Sequence, residues 1–136
     1  PPQMYCDPLA FAEETKRVFR RHWGFACLST ELTHSGSYVT VNIGGDSIIV
    51  VRDGERTRAF HNVCCHRSAE ITTRAGTKEE FQCPYHAWTY GLDGQLIRVP
   101  GVKELPAGVK LRPLRVETWG PFVFVCRKTI YGSKKL

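Results

Sequence analysis

Two short segments of this chain, Cys64-Cys65-His66 and Cys83-Pro84-Tyr85-His86, each offer a thiolate and an imidazole, and sixteen residues separate them. Few features limit a fold as tightly, because side chains that share one centre must be carried to it by two separate loops. In extended backbone, residues i and i+2 point the same way, which predicts that Cys64 and His66 face one centre. Cys65 would then point to the opposite side, and turning it inward would cost about 1–3 kcal/mol per strained residue. Cys64 is therefore the expected ligand and Cys65 a free thiol. Cys83 and His86, three apart around a proline-containing turn, are expected to bend toward the first pair. Two Cys and two His suit a tetrahedral zinc ion, although zinc pairs are usually Cys with Cys and His with His. One of each in both halves suits a [2Fe–2S] centre with two thiolates on one iron and two imidazoles on the other.

The rest of the chain predicts what carries these loops. Residues 7–22 read as the one helix: Asp7 can cap it, Pro8 fits the first helical position, and Phe11, Val18 and Phe19 share one apolar face. Lys16, Arg17, Arg20 and Arg21 sit at its C-terminal end, where the helix dipole favours them. After Trp23 the apolar pattern changes to period two. Tyr38–Ile43 and Ser47–Arg52 flank Gly44-Gly45-Asp46, Asp53-Gly54 leads into Arg58–Val63, and Asp93-Gly94 separates Trp88–Tyr90 from Gln95–Val99. Residues 100–113, with three prolines and two glycines, read as loop, and Val116–Thr118 and Phe122–Cys126 as the closing strands. The expected fold is all-β and mainly antiparallel, with one N-terminal helix over 7–22 and a β domain over 23–126.

Charge argues against a nucleic-acid surface. The net charge is +6, but four of the 19 bases fall in the last ten residues with no acid, leaving 15 bases against 13 acids over residues 1–126. That is a balanced surface followed by a basic tail, 127–136. No apolar run approaches the roughly 20 residues of a membrane span, and no signal-peptide pattern shows. The expected location is the cytoplasm, or an organelle stroma or matrix. Cys6, Cys27 and Cys126 are expected to be reduced, the last two as small hydrophobes in the β core.

Asn62-Val63-Cys64-Cys65-His66-Arg67 and Cys83-Pro84-Tyr85-His86-Ala87-Trp88 resemble the two Rieske boxes of ring-hydroxylating oxygenase large subunits, with a flavour of the group holding choline monooxygenase and aromatic-acid dioxygenases. Asp7-Pro8, Phe11, Glu14, Val18-Phe19 and Trp23 are similar to the opening helix of those subunits. Leu92-Asp93-Gly94 and Trp119–Val125 are similar to later segments, so the likeness covers about residues 4–126. It implies a Rieske-type iron–sulfur domain over 1–126 that binds one [2Fe–2S] cluster through Cys64, His66, Cys83 and His86. It also implies single-electron relay from a reductase or ferredoxin to the mononuclear iron of an oxygenase catalytic domain. His86 would be the exit, through a carboxylate of a neighbouring catalytic domain.

That family's mononuclear iron takes two His and one Asp, and no such site is readable here. The only His-x₄-His is His61 with His66, and the residue three before His61 is Arg58. The chain by itself is therefore expected to be inactive as an oxygenase; the alternative is a free-standing Rieske ferredoxin. Two departures stand out. The family usually has Gly where this chain has Ser68 and Ala87, positions that can demand a positive φ. No hydroxyl follows His86 at positions 87 or 88, which implies a potential in the negative half of the roughly −150 to +300 mV Rieske range. Trp88 is expected to pack beneath the centre, and Arg67 to fix a loop or a neighbouring carboxylate.

Overall fold

The structure is a computed structural model and describes residues 5–19 and 21–127. Arg20 and the tail residues Lys128, Lys134 and Lys135 lie outside the described residues. The opening helix is shorter than its pattern predicts. Helix α1 covers Pro8–Glu14, with the Asp7 carboxylate accepting from the Leu9 N–H at 2.9 Å, and a π-helical turn covers Thr15–Phe19. The π turn inserts an extra residue per turn, so Val18 and Phe19 no longer continue the row begun by Phe11. Neither segment buries a residue, and Leu9, Phe11, Val18 and Phe19 are exposed. A helix of this length is marginal without tertiary cover, which accounts for its early end.

Ten strands follow: β1 (Gly24–Leu28), β2 (Ser37–Ile43), β3 (Asp46–Asp53), β4 (Arg56–His61), β5 (Ala75–Thr77), β6 (Glu80–Gln82), β7 (Thr89–Gly91), β8 (Leu96–Arg98), β9 (Pro113–Trp119) and β10 (Phe122–Cys126). Among the described residues every strand pairing is antiparallel. Seven strands run in the order β1-β10-β9-β4-β3-β2-β5, and three form a small sheet, β6-β7-β8. Sequence periodicity overlooks β1, β5 and β6, and starts β9 late. The three-residue strands β5 and β6 are too short to show alternation, and in β1 a bulge at Ala26 breaks it. That bulge turns Ala26 and Cys27 inward together and leaves Phe25 and Leu28 outward, beside Phe124 and Phe122.

The central strands β2, β3 and β4 are buried on both faces, which is why Ile48-Ile49-Val50-Val51 is a continuous apolar run. Ile48, Val50, Val39 and Ala59 face a core shared with Ala26, Cys27, Val123 and Val125 of β1 and β10. Ile49, Val51, Tyr38 and Phe60 face the opposite way, into a second core with Cys64, Ile71, Phe81, Cys83, Tyr90, Leu96 and Leu111. Cys64 and Cys83 thus belong to the packing between the large and small sheets. Cys27 and Cys126 are buried as expected, and burial, aided by Glu31, pushes the Cys27 thiol up to about 11.

Two contacts fasten the small sheet. Phe81 of β6 is fully buried and meets the Tyr38 ring edge-to-face at 5.4 Å. Gly94, in the β7–β8 turn at φ +83°, lies under Phe60; a Cβ there would come within 2.5 Å of the Phe60 ring. Truncating Phe81 removes the first contact and leaves a cavity between the sheets. Phe81→Ala is expected to lower unfolding free energy by about 3–5 kcal/mol, measured by denaturant titration.

Candidate metal centre

Asn62 sets the entry to the first loop. Its side chain is fully buried; the amide donates to the Thr72 carbonyl at 2.7 Å and to Ser47 Oγ at 3.0 Å, and its oxygen accepts from the Ile71 and Thr72 N–H groups. This one side chain pins the end of β4 to β3 and to the segment that follows the loop.

The two boxes then fold into the same shape. The Cys64 N–H donates to the Ala69 carbonyl at 2.9 Å and the Ser68 N–H to the Cys64 carbonyl at 3.0 Å. In the second loop the Cys83 N–H donates to the Trp88 carbonyl at 2.8 Å and the Ala87 N–H to the Cys83 carbonyl at 3.0 Å. Each loop closes on a residue in the left-handed region, Ser68 at φ 56° and Ala87 at φ 55°. These are the two positions where the family resemblance leads one to expect glycine, and both have the positive φ that glycine adopts without strain. Residues 65–67 form a turn rather than extended chain. The alternation expected to carry Cys64 and His66 to one side is therefore not how they meet; the loop's ring of hydrogen bonds presents them. The same shape takes its histidine at the third residue in one loop and the fourth in the other.

The four box residues divide by depth. Cys64 and Cys83 are each 2% exposed, whereas His66 and His86 are exposed, with ring centroids 4.7 Å apart and planes at 65°. Trp88, expected beneath the centre, stacks in parallel on His66 at 4.9 Å, and Tyr85 lies 3.9 Å from His86. Among the described residues, no three His, Cys, Asp or Glu side chains converge tightly enough to hold a single metal ion. Thiols inside and imidazoles outside form a donor set split in two, which fits a two-iron centre better than one tetrahedral ion. Cys65 is exposed, its Sγ 3.2 Å from the Lys110 carbonyl. Arg67 is exposed, and no carboxylate lies within ion-pair reach of it among the described residues.

Sequence reading missed Tyr90. Its hydroxyl lies 3.2 Å from Cys64 Sγ and accepts the Cys65 N–H at 3.0 Å. An amide N–H can only donate, so the phenol keeps its own proton free, and toward a thiolate at Cys64 the hydroxyl is the donor. Burial first, and the bond to Cys64 next, hold Tyr90 well above the usual phenol range, so it stays a donor. The available signal was position: Tyr90 follows Trp88 by two residues, in the middle of β7, the strand that leaves the second box. His86 is held below the ordinary imidazole range, by desolvation first and then by His66 and Arg67. That favours the neutral ring a metal ligand needs.

Residues 22–127 match the Rieske [2Fe-2S] domain family, and the chain belongs to it. It is 38% identical over 130 residues to choline monooxygenase of Spinacia oleracea, covering 92% of this chain and 30% of that protein. It is 41% identical over 130 residues to the glycine betaine monooxygenase oxygenase subunit of Chromohalobacter salexigens, covering 92% and 29%. Among solved structures it matches a naphthalene 1,2-dioxygenase with a TM-score of 0.88 at 32% identity, over 96% of this chain and 31% of that one. It matches the quaternary ammonium Rieske monooxygenase CntA with a TM-score of 0.84 at 32% identity, over 95% and 39%. The chain spans about 30% of the length of the curated relatives it matches. A Rieske domain binds a [2Fe–2S] cluster, so the zinc alternative does not stand.

The left-handed conformation costs an L-residue roughly 1–2 kcal/mol. Glycine relieves that strain but gives up about 0.4–1 kcal/mol through its freer unfolded chain. Ser68→Gly and Ala87→Gly are each expected to stabilise the protein by about 0.5–1 kcal/mol in denaturant titration. Ser68→Val is expected to destabilise it.

Proposed function

We propose that Cys64, His66, Cys83 and His86 hold the cluster, the two thiolates on the inner iron and the two imidazoles on the outer. On this reading residues 1–126 are the cluster-binding unit and 127–136 a basic tail. The observation that carries the assignment is the pair of matched loops, which bury both thiols and leave the two imidazole rings side by side at the surface. When bound, the cluster supplies a one-electron couple. The chain relays single electrons from a reductase or ferredoxin to the mononuclear iron of an oxygenase catalytic domain, and His86, exposed, is where that acceptor reaches the centre. The names of the relatives, choline and glycine betaine monooxygenases, support a quaternary ammonium compound as the substrate of the assembled oxygenase. Among the described residues no helix is long and apolar enough to cross a membrane, and a cytoplasmic or stromal site of action suits the relatives.

The chain's own residues supply the surroundings of the cluster. Trp88 lies flat against His66 and holds its ring, and the Tyr90 hydroxyl is placed to donate to a Cys64 thiolate. Exchange of cysteines for serine tests the ligand assignment. After reconstitution with iron and sulfide, Cys65→Ser is expected to keep the visible absorption and the mixed-ligand paramagnetic resonance signal, and Cys64→Ser to lose or gravely alter both. Loss confined to Cys65→Ser would show the register to be wrong. The reconstituted chain with a reductase is expected to show no substrate-dependent oxygen consumption.

A hydrogen bond to a thiolate stabilises the reduced, more negative centre most. Tyr90→Phe is therefore expected to lower the midpoint potential. At about 1 kcal/mol for the bond, the shift is roughly 40 mV for one electron. The wild-type midpoint is expected below about +100 mV, because a hydroxyl reaches one thiolate but none occupies positions 87 or 88. Protein-film voltammetry of the two proteins measures both.

A further inference from the structure

A cleft of about 420 Å³ opens beside the first loop, walled by Val63, Cys64 and Cys65 on one side and by Lys110, Arg112 and Arg127 on the other. Its cations come from separate parts of the chain: Lys110 and Arg112 from the connection before β9, Arg127 from the residue after β10. One acid, Asp46, also lines it and is taken up by Arg127 at 2.5 Å. Among the described residues, no carboxylate pairs with Lys110 or Arg112. Residues 1–126 are close to charge balance, so this concentration is local.

Two further features mark the cleft wall. His61 Nε2, also in the cleft wall, is buried with no hydrogen-bond partner. Burial lowers the His61 pKa first, and Arg127 and Arg112 add to that against the pull of Asp46, which registers the positive field in the cleft. Val63, 40% exposed at the rim, gives an apolar contact next to the charges. Location then makes the cleft more than a basic patch, because its wall includes Cys64, a proposed ligand of the cluster.

We propose that this cleft is the docking site of an acidic electron-donor protein, whose carboxylates pair with Lys110 and Arg112 while its redox centre comes to rest beside Cys64. This rests on the electron-relay reading above. One electron passes from the reduced donor to the cluster; the donor is oxidised by one electron, and no bond is made or broken. Entry at the first loop leaves the exposed His86 free for the acceptor, so donor and acceptor need not exchange places. Attraction between a positive cleft and an acidic partner raises encounter rates by roughly 10- to 1,000-fold, and salt removes the gain.

The test uses the cluster-loaded full chain and an acidic plant-type [2Fe–2S] ferredoxin as probe. Lys110→Glu/Arg112→Glu is expected to slow cluster reduction by that ferredoxin about 10-fold or more at low salt, with the gap closing to under about 3-fold near 0.5 M salt, where the Debye length falls to several ångströms. Reduction by photoreduced deazariboflavin, a small uncharged reagent, is expected to be unchanged. Calorimetric titration with oxidised ferredoxin, in which no electron moves, is expected to show Kd raised by about the same factor at low salt. Lys110→Gln/Arg112→Gln is expected to show a smaller loss of the same kind, and covers the case in which charge reversal disturbs folding. Lys103→Glu, on the same connection but outside the cleft, is expected to stay within about 2-fold of wild type. Equal rates and Kd for wild type and the charge variants, or an equal loss in Lys103→Glu, would overturn the docking site. A wild-type chain that takes up no cluster, or that the small reagent does not reduce, would instead overturn the relay reading.

Discussion

The centre depends on one backbone device used twice. In each loop a cysteine carbonyl is capped by the N–H four residues on, and the cysteine N–H reaches the carbonyl five residues on. The loop therefore satisfies the cysteine's own peptide groups while the side chain goes into the core. An unpaired amide there would cost a few kcal/mol. The device requires a left-handed residue at the closing position, and the chain accepts that strain at Ser68 and Ala87. The pairing of loops is thus a matter of hydrogen-bond closure first and of ligand spacing second, which is how Cys-x-His and Cys-x-x-His come to serve one site.

What was legible in the sequence follows from this. The two boxes show because thiol and imidazole are rare and chemically specific. Positive φ at Ser68 and Ala87 was foreseeable because family resemblance puts glycine there. The central sheet was legible where alternation persists over six or more residues, as in β2 and β3. It failed where tertiary packing sets the pattern. A bulge at Ala26 breaks the period of β1, and β5 and β6 are held by pairing to β2 and β7 rather than by any alternation of their own. The helix failed for the opposite reason: its apolar residues have the right spacing, but nothing among the described residues covers them.

Two exposed regions differ in kind. Outward from β1, β10 and β9, Phe25 meets Phe122 and Phe124 edge-to-face at 6.0 and 6.1 Å, and Trp119, paired with Phe122 across the strands, is 68% exposed. That side is apolar and lies one core away from the two boxes. The side carrying the boxes is polar and cationic, with Arg67, Lys110 and Arg112 exposed around it. A positive surround lowers the energy of added negative charge, so it favours reduction of any centre held there. Charge near the loops and apolar surface away from them is a division the β2–β3–β4 layer makes possible by presenting a buried face to each side.

Tyr90 ties these elements together. It stands on β7, the strand leaving the second box, yet both of its hydroxyl contacts are to the first loop: the Cys65 N–H and the Cys64 sulfur. The phenol is thus a strut between the loops as well as a donor to one thiolate. Among the described residues no side-chain hydroxyl bonds to Cys83, so the stabilisation falls on one sulfur only. The N–H of Cys65 holds the phenol oxygen 3.2 Å from the Cys64 sulfur, so a donor stands within reach of that sulfur whenever it carries negative charge. A preset donor of this kind favours the more negative state without reorganising, and it does so at the thiolate that also lines the basic cleft.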